Sequence, residues 1–321
     1  MGYRLDLGPN CYAAEGIGIS NEPIKCGAEI NEYMDSDKND VLISCGGGEM
    51  MCEILDHVDF AKIREGKPKW YMGFSDNTNL TFLLPTLCDT AAIYGPCAGA
   101  FGMEPWHESV KDAMDLLTGA KLSMRSYDLW EKAETKAEGE PGEEDPFKPY
   151  QVTEPVVMRC YCPDFPVGQD SCPNSEEGLR FTGRLLGGCM DCLVNLLGTS
   201  YDKVPEFVER HAGDGIVWFL ESCDLNVFAI RRAVWQMQHA GWFSHVKGFL
   251  IGRPLCFGQE MMGLDQYHAV WDLLKGYGVP VIMDVDLGHL PPMMPLICGS
   301  MATVSYTGGD RQELKIDMEL I

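Results

Sequence analysis

The sequence predicts an α/β protein built on a parallel sheet, and three observations carry that reading. Short, almost wholly apolar runs recur along the chain, among them Asp40–Cys45, Trp70–Met72, Ile216–Leu220 and Gly248–Gly252. Helix-like segments alternate with them at the spacing of strand–helix units, which places helices on the faces of a parallel sheet. Glycine-containing turns follow two of the runs directly, at Gly46-Gly47-Gly48 and at Gly73.

In chain order, Asp40–Cys45 is a buried strand, and the glycine triplet leads from it into a helical stretch from Met50 to Val58. The next strand, from Trp70 to Met72, ends in Gly73-Phe74-Ser75-Asp76. There Asn77 or Thr78 caps a helix running to about Cys88, with Leu80, Phe82, Leu83 and Leu84 as its apolar positions. Ala91–Tyr94 is a short strand closed by Gly95-Pro96, and an amphipathic helix covers about Glu108–Leu117. Residues 124–180 have little periodicity and are rich in Pro, Glu and Asp, the composition of a lid, binding loop or linker. Order resumes where Gly183–Gly188 leads into a helix through Leu197. The strand Ile216–Leu220 and the helix Leu225–His239 follow. Strands Gly248–Gly252 and Val279–Met283 then flank a helix of about Leu264–Lys275. Ala302–Tyr306 and Glu313–Met318 read as a hairpin around Gly308-Gly309. The expected division is an N-terminal nucleophile domain over 1–123, an acidic linker or substrate loop over 124–180, and a C-terminal domain over 181–321. The chain is expected to open in mid-domain, without the strand, Gly/Ser-rich turn and helix that normally start a doubly wound sheet.

Composition narrows the functional classes. A chain of 321 residues with 45% hydrophobic content buries a substantial core. Its net charge of −23 argues against nucleic acid or anionic membranes as partners. No run approaches the roughly 20 apolar residues of a membrane span, and Met-Gly-Tyr-Arg-Leu-Asp lacks the apolar centre of a secretory signal. The reading is a cytoplasmic protein with reduced thiols. Much of the charge lies in Glu131, Glu134, Glu138, Glu140, Glu143, Glu144 and Asp145, a solvated connection rather than an acidic site. Of the 14 cysteines, Cys45, Cys88, Cys256 and Cys298 lie in apolar runs, where a thiol packs as a small hydrophobe. Cys160-Tyr-Cys162 with Cys172, and Cys189-Met-Asp-Cys192, are groupings to weigh for zinc. Only the second has the usual spacing, so no metal and no cofactor is expected.

Ser75 is the residue to explain. A serine on a sharp turn between strand and helix stands clear of the sheet, with a helix N-terminus behind it that favours developing negative charge. The same residues also serve as an ordinary helix cap, so partners decide between the two readings. Such partners sit where strands end at their carboxyl ends. Glu221 directly follows Ile216–Leu220, and His289 stands between Gly288 and Leu290-Pro291-Pro292. Ser75, Glu221 and His289 thus supply nucleophile, orienting acid and base. The backbone N–H of Asp76, with Gly47 or Gly48 from the neighbouring turn, would receive the oxyanion. The glycine triplet lacks both the Lys-Ser/Thr of a phosphate loop and the spacing of a dinucleotide fingerprint.

These residues resemble the LD-carboxypeptidases and microcin C immunity proteins, serine peptidases with a Ser-Glu-His triad. The likeness runs through Cys45–Gly48, Pro68–Asp76, Tyr94-Gly95-Pro96 and Gly183–Gly188. It continues through Leu197-Gly198-Thr199, Phe219–Glu221, Gly252-Arg253 and Gly288-His289. It departs at Cys189, where the family often has asparagine, and in lacking an arginine before the glycine triplet. The resemblance implies an N-terminal α/β domain, a C-terminal α+β domain richer in β structure, and a homodimer without metal. It also implies one of two substrates. Immunity-type relatives cleave an amide in peptidyl- or aminoacyl-nucleotides, with aromatic residues of a long loop stacking on adenine. LD-carboxypeptidases release the terminal D-alanine of muropeptide tetrapeptides in wall recycling. The long segment with Trp130, Phe147, Tyr150 and Tyr161, and the absent arginine, favour the first. Arg184 and Arg253 are candidates to meet a substrate carboxylate or phosphate, with structural ion pairs as the alternative. A third reading, an inactive binding or scaffold protein, follows if the opening strand is absent.

Overall fold

Two sheets share one apolar core in the computed structural model, which describes residues 2–132, 147–162, 178–309 and 311–321. The smaller sheet is formed by β1 (Val41–Ile43), β2 (Trp70–Gly73) and β3 (Ala92–Tyr94), all parallel. The larger sheet starts with β4 (Ser123–Arg125), β5 (Arg159–Tyr161) and β6 (Leu179–Cys189). It gains β7 (Ile216–Glu221), β8 (Val246–Gly252) and β9 (Val281–Val285). The chain then returns to the smaller sheet as β10 (Leu296–Cys298), antiparallel to β3. It closes with the hairpin β11 (Met301–Thr307) and β12 (Glu313–Glu319) in the larger sheet. The strand orders are β1-β2-β3-β10 and β4-β12-β11-β6-β7-β8-β9-β5.

The centre of the larger sheet, β6 to β9, is parallel, and the antiparallel strands lie at its edges. Every residue of β7 is buried, which is why Ile216–Leu220 reads as a continuous apolar run rather than an alternating one. Beside it the rings of Trp218 and Trp242 stack at 5.8 Å, and Trp242 stacks at 5.4 Å on Phe82 of the helical segment after Ser75. The two sheets are therefore packed through aromatic contacts, with about 1.5–3 kcal/mol from the burial of a side chain such as Phe82.

Several expectations changed. The stretch from Met50 to Val58 forms a 3-10 helix, Met51–His57, capped by a carboxylate from outside it: Asp76 Oδ2 accepts from the Met51 N–H at 2.8 Å. A helix over Pro23–Asp35, with proline at its first turn, precedes β1 and packs on that 3-10 helix. Gly183–Gly188 is the second half of an 11-residue strand rather than a lead into a helix; the helix itself is Met190–Leu196. The helix after Ser75 is broken in two at Phe82, as Thr78–Thr81 and Leu83–Cys88. Within 124–180, a two-residue ribbon pairs Leu129–Trp130 with Glu154–Pro155. Glu134, Glu138, Glu140, Glu143, Glu144, Asp145 and Cys172 lie outside the described residues. Among the described residues, no helix is long and apolar enough to cross a membrane. Cys88 and Cys298 are buried, whereas Cys45 is exposed.

Candidate active site

Ser75 follows β2 in a left-handed conformation, φ 61°. For a residue with a Cβ this costs about 1–3 kcal/mol and persists only where the surroundings enforce it. They do so here. Asn77 Oδ1 accepts from Tyr71 Oη at 2.5 Å, and Asn77 Nδ2 donates to the carbonyls of Gly46 (2.9 Å) and Phe74 (3.0 Å). Gly73 leaves the room for that side chain, because a Cβ there would lie 2.7 Å from Asn77 Cγ. One buried asparagine thus fixes the serine turn to β2 and to the glycine turn after β1.

Glu221 is the last residue of β7, and His289 lies four residues beyond β9. Ser75 Oγ is 2.9 Å from His289 Nε2, and His289 Nδ1 is 3.0 Å from Glu221 Oε2. Glu221 has 1% of its side chain exposed and His289 15%. Gly288 allows this approach: its φ is +99°, and a Cβ there would fall 2.6 Å from Glu221 Oε2. Burial opposes protonation of His289, but the Glu221 carboxylate and the neighbouring Cys223 thiol outweigh it. The imidazole is held well above its ordinary 6.5. The turn after Glu221 is fixed by Asp191, whose carboxylate accepts from the N–H groups of Cys223 (3.0 Å) and Asp224 (2.8 Å).

Tyr94 ends β3, and the sequence marks it as a strand end before a Gly-Pro turn without assigning it a role in the site. Its hydroxyl donates to Glu221 Oε1 and accepts from the Ser75 N–H at 3.3 Å. Burial first, then the Glu221 charge, raises it well above its ordinary value, so it remains a neutral donor. The available signal is a tyrosine at the carboxyl end of a strand adjoining the one that precedes Ser75.

Gly47 lies beside Ser75: a Cβ built on it would be 3.5 Å from Ser75 Oγ. The N–H groups of Gly47, Gly48 and Asp76 have no partner among the described residues, so they are available to an oxyanion. The Asp76 side chain is structural, accepting from Met51 N and, at 3.0 Å, from Asn79 Nδ2. The three expected substrate contacts are committed elsewhere. Arg184 pairs with Asp214 at 2.7 Å and donates to the Gly299 carbonyl. Arg253, 1% exposed, pairs with Asp286 and donates to the Asp284 carbonyl at 2.8 Å. Trp130 is buried, its Nε1 donating to the Pro155 carbonyl and its ring packed on Phe257. Of the other aromatic residues in that segment, Tyr161 stacks on Trp271, Tyr150 packs on His107, and Phe147 is exposed. Among the described residues, no group of three or more His, Cys, Asp or Glu is arranged to hold a metal ion.

Comparison with known proteins identifies the family. The LD-carboxypeptidase N-terminal domain matches residues 1–95, and the LD-carboxypeptidase C-terminal domain matches residues 182–304. The chain is 21% identical to the Microcin C7 self-immunity protein MccF of Escherichia coli, over 87% of this chain and 74% of that protein. The structure of MccF in complex with aspartyl sulfamoyl adenosine superposes with a TM-score of 0.72 at 18% identity, covering 97% of this chain and 85% of the other. A muramoyltetrapeptide carboxypeptidase from Oxalobacter formigenes gives 0.65 at 16% identity, covering 94% and 85%. Both structures share the two-sheet α/β fold.

Proposed function

Given that the chain belongs to the LD-carboxypeptidase family, we propose that it is a serine amidase that works through an acyl-enzyme. The observation that carries the reading is the hydrogen-bonded chain from Ser75 Oγ through His289 to Glu221. His289 Nε2 takes the hydroxyl proton as Oγ attacks the amide carbonyl, and Glu221 holds the Nδ1–H tautomer and stabilises the imidazolium. The N–H groups of Asp76 and of Gly47 or Gly48 receive the oxyanion; loss of one such donor typically costs about a hundredfold or more in turnover. His289 returns the proton to the leaving amine and then activates the water that cleaves the ester.

The substrate of this reading is a peptidyl- or aminoacyl-nucleotide, handled by a cytoplasmic homodimer. Support comes from the MccF structures, which contain adenosine monophosphate, aspartyl sulfamoyl adenosine and glutamyl sulfamoyl guanosine. The second reading, removal of a terminal D-alanine from a muropeptide, draws on the likeness to the muramoyltetrapeptide carboxypeptidase. A silent binding role gains nothing from a serine held in a strained conformation against a histidine.

Assays of the purified chain with an aminoacyl sulfamoyl adenylate and a muropeptide tetrapeptide in parallel test these readings. The expected result is turnover of the adenylate, abolished in Ser75→Ala with circular dichroism and Tm unchanged. Undiminished hydrolysis by Ser75→Ala overturns the nucleophile assignment. Turnover of the tetrapeptide alone transfers the proposal to the second reading, and turnover of neither by a folded chain supports a binding role.

A further inference from the structure

Cys45 ends an apolar run, where the sequence reading packs it as a hydrophobe; the structure leaves it exposed, with its sulfur 3.1 Å from that of Cys11. Two thiols this close on an accessible surface are placed to react with one another. Cys11 belongs to a strap, residues 8–21, that runs beside the glycine turn and is anchored on both sides of the thiol. Its N–H donates to the Gly8 carbonyl at 3.1 Å. Asn10 Nδ2 donates to Glu29 Oε2 at 2.5 Å and to the Lys25 carbonyl at 3.2 Å, and Asn10 Oδ1 accepts from Asn21 Nδ2 at 2.8 Å. Further along, the Gly18 carbonyl accepts from the Glu49 N–H at 2.8 Å, just past the glycine turn. Cys45 is equally well fixed. Ser44 before it accepts from the Ala98 N–H and donates through Oγ to the Gly46 carbonyl, which Asn77 also holds.

We propose that Cys11 and Cys45 form an oxidation site, a dithiol that closes to a disulfide and staples the strap to the glycine turn, with a peroxide as the oxidant. Cys11, as the thiolate, attacks a peroxide oxygen and expels hydroxide, giving a sulfenic acid, because burial and the hydrogen bond with Cys11 push the Cys45 thiol up and keep it protonated. The second sulfur displaces the sulfenic oxygen as water and the S–S bond forms. In all, two thiols lose two electrons and two protons while hydrogen peroxide is reduced to two waters. Neither sulfur belongs to the Ser75–His289–Glu221 chain, so the site stands or falls independently of the hydrolase reading. Because Gly47 lies against Ser75 Oγ, the staple also holds the glycine turn against the serine.

The test uses the full chain, reduced with dithiothreitol, desalted and exposed to stoichiometric hydrogen peroxide. Peptide mapping without reductant is expected to give a Cys11–Cys45 cross-linked peptide as the first disulfide. The oxidised protein should melt about 5 °C higher than the reduced one, reversibly on addition of dithiothreitol. Cys11→Ser and Cys45→Ser, both at accessible positions, should match the reduced wild type in Tm and lose both the cross-link and the gain. The proposal is overturned by a first disulfide between other cysteines or by Cys45 sulfinic acid without a cross-link. A Tm gain that survives in Cys45→Ser overturns it as well.

Discussion

Tyr94 shows how much of this site depends on a residue outside the triad. Glu221 has two carboxylate oxygens to satisfy in a buried place, and His289 takes one of them. Tyr94 takes the other while accepting from the Ser75 N–H, so one hydroxyl couples Glu221 to the Ser75 backbone. Tyr94→Phe keeps the ring and leaves both groups short of a partner, a cost of about 1–3 kcal/mol. Turnover should fall while the fold persists, which kcat and Tm on the same preparation will check. The protonation of His289 gives a second prediction. Its folded value lies above its ordinary 6.5, so the pair with Glu221 contributes stability fully present below that pH. This contribution is lost as pH rises through the raised value. A general base must be neutral, so the rising limb of kcat/KM against pH is expected on the alkaline side of an ordinary histidine. Glu221→Gln should move that limb down towards 6.5 and lower turnover by roughly a thousandfold or more. A limb that stays in place in the variant would detach Glu221 from His289.

At the scale of elements, the helix behind the serine is seated on the larger sheet by one hydroxyl. Thr78 Oγ1 accepts from the Cys189 N–H at 3.0 Å, where β6 ends, and Gly188 gives the helix its close approach. Thr78→Val keeps the shape and orphans a buried N–H. It should cost about 1–3 kcal/mol, read as a lower midpoint in denaturant with an unchanged slope. This contact also shows what the sequence conveyed and what it withheld. Strands such as Ile216–Glu221 were legible because burial on both faces writes itself as an unbroken apolar run. The juxtaposition of Ser75, Glu221 and His289 was legible because all three follow strand ends, where functional groups converge. The strand Leu179–Cys189 was obscured by its glycines, which are there because close neighbours leave little room for a Cβ: one at Gly187 would overlap the Phe219 carbonyl oxygen, and one at Gly188 would meet the Thr78 side chain. Arg184 and Arg253 looked like anion ligands because a sequence does not show Asp214 and Asp286 folding back onto them.

At the scale of the whole molecule, the site lies on a seam. Ser75 and Tyr94 come from the smaller sheet, and Glu221 and His289 from the larger, so the site exists only while the two remain docked. Division of the chain at residue 123 would suggest two separable units. The strand membership does not follow it, because β10 leaves the C-terminal half to pair with β3 and β11 returns at once to pair with β6. Phe82, Ile93 and Tyr94 of the first half belong to the same buried cluster as Trp218, Phe219 and Trp242 of the second. Pulling the sheets apart would expose that cluster and break β10 from one sheet or the other, a cost too large for either half to be populated alone. Unfolding should therefore be a single transition. Tryptophan fluorescence, to which the buried Trp130, Trp218 and Trp242 contribute, should change with the same midpoint as far-ultraviolet circular dichroism and as loss of hydrolysis. If activity disappears at a lower denaturant concentration than the fluorescence signal, the seam opens before the sheets melt, and the site is a contact between two independently stable units.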